Sequence, residues 1–235
     1  EAPEELHESY VRRLEELASD EAIGAEALED AAHTFVSGAC PAWAILAITF
    51  TNKAADEMKS RLGRLLNKDS DDGADRESEV TAGTFHSICL RILRKYHEAA
   101  GYASSFTIYD TDDTKKAIQA CMKELSIDEK TLAIRAVQNA ISRAKDRLIE
   151  PQQFAAEAGC DYTLERIAKI YECYQKRLKA GNALDFDDII MQTVKLLRDN
   201  DEIREYYQRR YKYVCVDEYQ DTNKAQFELI KLISG

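Results

Sequence analysis

Three short apolar runs stand out along the chain, and each passes directly into a helical pattern. The runs lie at 43–50, 80–85 and 213–216. A continuous apolar run of this length between polar residues is typical of a fully buried strand in a parallel sheet. The helices that follow have apolar residues three or four positions apart: Ala54, Met58, Leu62 and Leu65; Ile88, Ile92 and Tyr96; Ala225, Leu229 and Leu232. The pattern therefore predicts an α/β domain with a parallel sheet.

The middle of the chain, from about 99 to 185, has helical periodicity instead. Pro151 suits the first turn of one helix, and Gly181 with Asn182 is expected to end another. The apolar stripes of this region predict a core of its own: Ile118, Cys121, Met122 and Leu125; Ala133, Val137, Ile141, Ala144 and Leu148; Leu164, Ile167, Tyr171, Tyr174 and Leu178. The basic positions between them are expected to form a solvated face: Arg135, Arg143, Lys145 and Arg147.

A further helix is predicted over 183–197, and it begins in a cluster of acids. Asp185, Asp187 and Asp188 surround Phe186. Acids in a first turn complement the helix dipole, which explains Asp185 and Asp187 without any functional role. The face expected to enter the core carries Phe186, Ile189, Ile190, Thr193 and Leu197.

Two segments show no candidate chemistry. Residues 4–17 predict an amphipathic helix, and the alanine-rich stretch that follows extends to residue 40. Residues 67–79 are almost entirely polar and predict a flexible acidic surface loop. The apolar face of the first helix carries Leu6, Tyr10, Leu14 and Leu17.

The acidic charge is concentrated in these two segments. The net charge of the 235 residues is −11, with −9 in residues 1–32 and −4 in residues 67–79, so that the rest of the chain carries +2. A near-neutral body is compatible with a local groove for a phosphate backbone and gives no electrostatic evidence for one. The length allows one large domain or two small ones.

Cysteine usage and hydropathy indicate a soluble, cytoplasmic protein. No apolar run approaches the roughly 18 residues that a membrane span needs, and the acidic start has no signal-peptide pattern. The six cysteines form no C-x-x-C pair, which favours reduced, buried thiols over disulfides or zinc. They are Cys40, Cys89, Cys121, Cys160, Cys173 and Cys215.

Candidate chemistry lies where each predicted strand ends. Asp217 and Glu218 directly follow the third strand, in the position where open α/β sheets bind their ligands. One acid can hold Mg²⁺ while its neighbour polarises an attacking water, although the pair alone could be a solvated turn. Polar, aromatic and imidazole side chains follow the other two strands: Thr49, Phe50, Thr51 and Asn52; Thr84, Phe85, His86 and Ser87.

Four strings, by their order and spacing, resemble the N-terminal half of a UvrD/Rep/PcrA-type superfamily 1 ATP-dependent DNA helicase. They are ITFTNKA (48–54), TFHS (84–87), ALDFDD (183–188) and VDEYQDTN (216–223). The resemblance covers roughly 42–235. It implies ATP and Mg²⁺ as cofactors, with Asp217 as the Mg²⁺ ligand, Glu218 as the residue that activates the hydrolytic water, and Gln220 as the sensor of the γ-phosphate. The single-stranded DNA contacts it implies are Thr49, Phe50, Thr51, Asn52, Thr84, Phe85, His86 and Ser87.

The resemblance also implies a domain organisation. Residues 42–92 and 186–235 would form a RecA-like motor domain, interrupted by an all-helical subdomain at 93–185. Residues 1–41 would be a separate N-terminal segment. The family's glycine-rich phosphate loop, G-x-G-K-[ST], is not found in residues 1–41, nor is its adenine-recognition glutamine motif. Either the loop is truly absent, or the sequence joins stretches across a gap; we expect the second.

Three functional hypotheses follow. The first is the ATPase half of a DNA translocase that unwinds duplexes, acts on single-stranded DNA and at single-strand/duplex junctions, and works with repair or replication proteins. The second is a single-stranded DNA-binding module that lacks the phosphate loop and cannot use ATP. The third is a protein-interaction domain that acts through the acidic N-terminal helix.

Overall fold

The computed structural model describes residues 41–66 and 80–234, and the chain from Ala42 onwards forms one compact unit. The expectations for residues 1–40 and 67–79 lie outside the described residues. The elements are a 3₁₀ turn (Ala42–Ala44), β1 (Ile45–Thr49), α1 (Asn52–Leu66), β2 (Thr81–Thr84), α2 (Phe85–Lys95), β3 (Thr107–Ile108), α3 (Thr111–Glu124), α4 (Ile134–Asp146), α5 (Pro151–Glu157), α6 (Tyr162–Ala180), β4 (Ala183–Leu184), α7 (Phe186–Asp199), α8 (Asp201–Arg210), β5 (Tyr213–Val216), a second 3₁₀ turn (Tyr219–Asp221) and α9 (Lys224–Ser234).

The three predicted strands form one parallel sheet in the order β2-β1-β5. β1 lies in the middle, and every residue of it except Ile45 is buried. In the register, Thr49 is opposite Thr84 and Ile48 is opposite Val216. Because the three strands run in the same direction, they all end at the same edge of the sheet.

The two faces of the sheet are covered unequally. One face, which includes Leu46 and Ile48, packs into a large apolar core with α2, α7, α8 and α9. The other packs through Ala47 and Ala82 against Met58 and Leu62 of α1.

The expectation of a fully buried third strand was wrong. In β5, Tyr213 and Cys215 are exposed while Val214 and Val216 are half-buried. The register places Tyr213 and Cys215 on the α1 side of the sheet, and in the described part of the chain α1 packs mainly over β1 and β2. An apolar run predicts a strand, but it does not reveal whether a helix covers both of its faces.

The middle of the chain has a separate apolar core, as predicted, although Ala133 of the predicted stripes is exposed and Leu148 packs against the larger core. This separate core is built by α3, α4 and α6, with Tyr171 and Tyr174 fully buried at its centre. The two short strands β3 and β4 pair in parallel, with Thr107 opposite Ala183, and lie between the two cores: Ala183 belongs to this core and Leu184 to the larger one. Strands of two residues are too short to leave a period-two pattern, so the sequence gives no sign of them.

The thiols are only partly as expected. The five described cysteines are free; Cys89 and Cys121 are buried, but Cys160 and Cys215 are exposed. Cys160 lies in the turn after α5 and Cys215 on the uncovered side of β5, so the prediction of burial was wrong for both. Within the described ranges, none of the helices is long and apolar enough to cross a membrane.

Candidate functional site

The three segments of predicted chemistry meet at one edge of the sheet. Thr49 ends β1, Thr84 ends β2, and Asp217 directly follows β5. The backbone N–H of Asp217 donates to the carbonyl of Ile48 at 2.9 Å, so that the chain leaves β5 beside the end of β1. The register therefore brings together residues that are more than 160 positions apart in sequence.

The segment after β1 forms a tight turn into α1. Thr49 is fully buried, and its hydroxyl donates to the carbonyl of Thr51 at 3.1 Å. The hydroxyl of Thr51 accepts from the N–H of Ala54 at 3.2 Å and caps the helix. Thr49 therefore shapes the turn from inside, whereas Phe50, Thr51 and Asn52 are exposed and accessible to a ligand.

The segment after β2 starts a helix earlier than predicted, because α2 begins at Phe85. Thr84 is its N-cap: its hydroxyl accepts from the N–H of Ser87 at 3.3 Å, and the Ser87 hydroxyl donates back to the Thr84 carbonyl at 2.9 Å. Phe85 is only 1% exposed and belongs to the core. Of the four residues predicted here, Ser87 is exposed and His86 is half-buried.

Two aromatic contacts line this edge. The ring of Phe50 packs on Phe85 with centroids 5.4 Å apart, so the buried ring supports the exposed one. The imidazole of His86 stacks on Phe186 at 3.7 Å with nearly parallel planes. Burial lowers the pKa of His86 to about 4, so the imidazole is neutral at pH 7 and acts as a stacking surface, not as a cation.

Phe186 is the functional candidate that sequence reasoning missed. It was assigned to the core face of α7, but 57% of its surface is exposed. As the first residue of the helix it lies outside the seam formed by Ile189, Ile190 and Leu197, which are buried. An aromatic side chain flanked by acids at a helix start was the available signal, because such a position is seldom inside a core.

The acidic turn after β5 exposes its carboxylates. Asp217, Glu218 and Gln220 are all exposed, and the Gln220 amide donates a hydrogen bond to the Glu218 carboxylate. Glu218 has a left-handed backbone, with φ 50° and ψ 43°. This conformation is costly for a residue with a side chain and is concentrated at functional sites.

The donor set of this turn fits Mg²⁺. Mg²⁺ is commonly held by one or two carboxylates together with water and substrate phosphates, and Asp217 presents such a carboxylate beside Glu218. Within the described residues no cluster of three or more His, Cys, Asp or Glu side chains could hold a metal by itself. A site completed by phosphate oxygens does not require one.

A buried ion network lies behind the aromatic edge and corrects the prediction for Lys145. This residue was expected on a solvated face, but it is 1% exposed. Its ammonium contacts Asp185 at 2.6 Å and Asp188 at 2.9 Å, and the hydroxyl of Tyr174 donates to Asp185 at 2.8 Å. Burying a charge is tolerated only when it is paired in this way, and nothing in a helical periodicity reveals which lysine is paired.

Burial and the mutual attraction of the charged groups in this network shift the pKa of each of them. Burial raises the pKa of Asp188 to about 6 despite the attraction of Lys145. Burial by itself lowers the pKa of Lys145 and raises that of Asp185, but their mutual attraction prevails, so that the pKa of Lys145 is raised and that of Asp185 is lowered. Lys145 and Asp185 therefore form a charged pair at neutral pH.

A parallel sheet whose strands each lead into a helix is consistent with a RecA-like α/β domain. A model of the UvrD/REP helicase N-terminal domain family matches residues 28–235, and the chain belongs to this family.

Curated helicases of several bacteria resemble the chain. The chain is 44% identical over 192 residues to the ATP-dependent DNA helicase PcrA of Bacillus subtilis (strain 168), a match that covers 82% of this chain and 25% of that protein. It is also 44% identical over 196 residues to the ATP-dependent DNA helicase UvrD1 of Mycobacterium bovis, with 81% of this chain and 24% of that protein covered. The chain thus spans about a quarter of the length of these relatives.

Proposed function

We propose that this chain is the N-terminal motor portion of an ATP-dependent DNA helicase, which couples Mg-ATP hydrolysis to movement on single-stranded DNA and to duplex unwinding. The observation that carries the proposal is the convergence of three strand ends at one sheet edge. The DNA contacts and the ATP chemistry would share that edge. A structural change at the ATP site could therefore be transmitted to the DNA contacts over a short distance.

The proposed DNA contacts combine aromatic rings with small polar groups. Phe50 and Phe186 offer exposed rings, and His86 offers a neutral imidazole. Rings of this kind hold bases of any sequence, because every base has a π face. Thr51, Asn52 and Ser87 are exposed nearby donors for phosphate oxygens. Thr49, Thr84 and Phe85 are largely buried and would support these contacts from beneath.

The proposed ATP chemistry lies in the acidic turn. Asp217 would hold Mg²⁺, which when bound offsets the negative charge of the nucleotide phosphates. Glu218 would accept a proton from the attacking water, and its carboxylate is exposed. Gln220 would contact the γ-phosphate, as the family resemblance implies, and its amide lies beside the Glu218 carboxylate.

The domain organisation is part of the proposal. We assign residues 42–92 and 186–235 to the motor and 93–185 to a helical insert. Two separate apolar cores support the division into two units, although Leu93, Tyr102, Phe106 and Leu184 of the assigned insert pack into the motor core. Substrates with single-strand/duplex junctions and partners in repair or replication follow from the helicase activity proposed. Since such an enzyme needs ATP and DNA, the cytoplasm is its expected compartment.

Two titrations test the proposal. The chain is titrated with a fluorescein-labelled oligo(dT), followed by anisotropy, and with a fluorescent ATP analogue in the presence of Mg²⁺. A full-length protein that contains this chain is then assayed for ATP turnover with and without oligo(dT). Binding of oligo(dT) together with DNA-stimulated turnover supports a helicase motor. Absence of DNA-stimulated turnover in the full-length protein rejects it.

The second candidate is a DNA-binding module without ATP chemistry. It is favoured by one observation: residues 1–41 contain no glycine-rich phosphate loop, whose backbone amides and lysine would hold the phosphates. Binding of oligo(dT) by both the chain and the full-length protein, with no measurable affinity for Mg-ATP in either, would establish this alternative.

A further inference from the structure

Lys145, the buried lysine of α4, pairs with two acids at the start of α7, and these contacts restrict the orientation of the helix start as well as its distance from α4. Asp185 is the N-cap of α7 and Asp188 lies three residues further, and each accepts from the backbone N–H of the other at 2.8 to 3.3 Å. Lys145 bridges the two carboxylates. One ammonium therefore holds both acids of a capping box, which sets the orientation of the first turn of the helix.

Phe186 is part of that turn. It lies between Asp185 and Asp188 in the sequence, and its ring stacks on His86 at 3.7 Å. Because Phe186 is mostly exposed, it has little core packing to hold it in place. The position of its ring depends on the turn that carries it, and hence on the pairing of Lys145.

The neighbouring residue of α4 reaches the other functional segment. The amide of Asn223 donates to the Asp146 carboxylate at 2.6 Å. Asn223 follows the acidic turn directly, and it exchanges hydrogen bonds with Gln226 at 2.9 and 3.0 Å, which cap α9. The end of α4 thus contacts Asn223, which follows the acidic turn, through Asp146, and the two acids on either side of Phe186 through Lys145.

We propose that Lys145 is a positioning residue: by pairing with Asp185 and Asp188 it fixes the end of α4 against α7, and so holds the His86–Phe186 stack and the Asn223 end of the acidic turn in one arrangement. The inference rests on the proposed function for the roles of these two segments, but the contacts themselves do not depend on it.

A general stabilising role would not require this arrangement. A buried ion pair can often be replaced by apolar residues of similar volume without loss of stability, so stability alone does not explain three charges around one point. Two carboxylates from one helix turn and a lysine from another helix accept only a narrow set of geometries. Because these contacts are directional, they define the position of α4 relative to the start of α7 more narrowly than apolar packing would.

The test uses two variants of the chain and reads the environment of His86 by NMR. K145M keeps the volume and removes the cation. K145M/D185N/D188N leaves no charge unpaired, and asparagine still caps the helix at 185. The pKa of His86, about 4 in the wild type, is followed by ¹⁵N imidazole shifts between about pH 3 and 7. We expect it to rise by about one pH unit or more in the folded variants, because the ring loses cover from Phe186.

R177M is the matched control. Arg177 also pairs with a carboxylate across two helices, at 2.9 Å from Glu124, but at the surface. R177M should leave the pKa of His86 and the side-chain amide signal of Asn223 unchanged. In the Lys145 variants, both the pKa and the amide signal should shift. A folded variant with an unchanged His86 pKa overturns the proposal, and so does failure of the charge-free triple variant to fold, since Lys145 would then serve core stability.

Oligo(dT) affinity separates this inference from the proposed function. We expect the folded Lys145 variants to bind about tenfold more weakly than R177M, in line with the loss of one base–aromatic contact. If the wild-type chain does not bind oligo(dT), the DNA contacts of the proposed function are rejected while the His86 result still decides the role of Lys145. If the wild type binds and the variants bind equally well with a shifted His86, Lys145 does not position a DNA contact.

Discussion

At the scale of single residues, Glu218 and Phe186 each have a feature that costs free energy in the folded chain. Glu218 has a left-handed backbone that glycine would adopt at lower cost. Phe186 leaves more than half of its ring in solvent. Because three other described residues with side chains also have positive φ and Tyr162 is more exposed than Phe186, the assignment of Glu218 and Phe186 rests on their place at the sheet edge.

Replacement of Glu218 by glutamine should separate ATP binding from hydrolysis. In a full-length protein that contains this chain, E218Q keeps the shape of the side chain and removes the proton acceptor. We expect turnover to fall by about 10²-fold or more, with little change in Mg-ATP affinity. Steady-state turnover and equilibrium binding measure the two effects. E202Q, at an exposed acid of α8, is the control, and unchanged turnover in E218Q would remove the assignment of Glu218.

Replacement of Phe186 by leucine should weaken DNA binding more than it affects folding. A stacked base is worth about 1–3 kcal/mol, so we expect oligo(dT) affinity to fall roughly tenfold or more, while the largely exposed ring contributes little to stability. Anisotropy and thermal unfolding measure the two quantities. Y162L removes a ring that is 71% exposed elsewhere. Equal affinity of F186L and Y162L would exclude Phe186 from the DNA contact.

At the scale of elements, the junction between β2 and α2 is the tightest part of the site. A Cβ on Gly83 would lie 2.6 Å from the Ser87 hydroxyl, which is closer than such atoms approach. That hydroxyl is held by its bond to the Thr84 carbonyl. Glycine is therefore required here by close approach and not by an unusual φ.

A double-mutant cycle tests this junction. We expect G83A to destabilise the chain by about 1–3 kcal/mol through crowding, and by less in an S87A background, where the nearest remaining side-chain carbon atoms lie at 3.6 and 3.9 Å. Chemical denaturation of the two single variants and the double variant gives the coupling. Strict additivity would show that the Ser87 hydroxyl is not the source of the strain.

Comparison of the predicted and observed elements shows which parts of the fold follow from sequence patterns alone. β1, β2 and their helices follow from apolar runs and helical periodicity, and the Glu57–Arg61 pair on α1 follows from its spacing of four residues, with a distance of 2.6 Å. The acidic turn and the strand ends were located as well. Lys145 and Phe186 were misassigned, because pairing between helices and exposure at a helix start depend on neighbours that are distant in sequence.

At the scale of the molecule, charge has a limited part in the proposed DNA binding. The body of the chain outside two acidic segments carries only +2, and the sheet edge presents rings, hydroxyls and amides more than lysine and arginine. The contacts of such an edge should depend chiefly on stacking.

The salt dependence of oligo(dT) binding should therefore be shallow. With two or three phosphates neutralised, log K should change against log [salt] with a slope of about −2, from roughly −0.7 for each phosphate on a single strand. Anisotropy titrations between about 50 and 300 mM KCl measure it. A slope steeper than about −5 would show that basic side chains dominate instead.

The pairing of β3 with β4 has a consequence for how the helical insert can change. The strands run in the same direction, with Thr107 beside Ala183 and Ile108 beside Leu184, so α3 to α6 together serve as one very long crossover connection. Parallel neighbours cannot be joined by a hairpin and need a dozen or more residues between them. A tight turn in place of α3 to α6 would reverse β4 and misdirect every element that follows, and loss of α4 would also leave the buried Asp185 and Asp188 without Lys145.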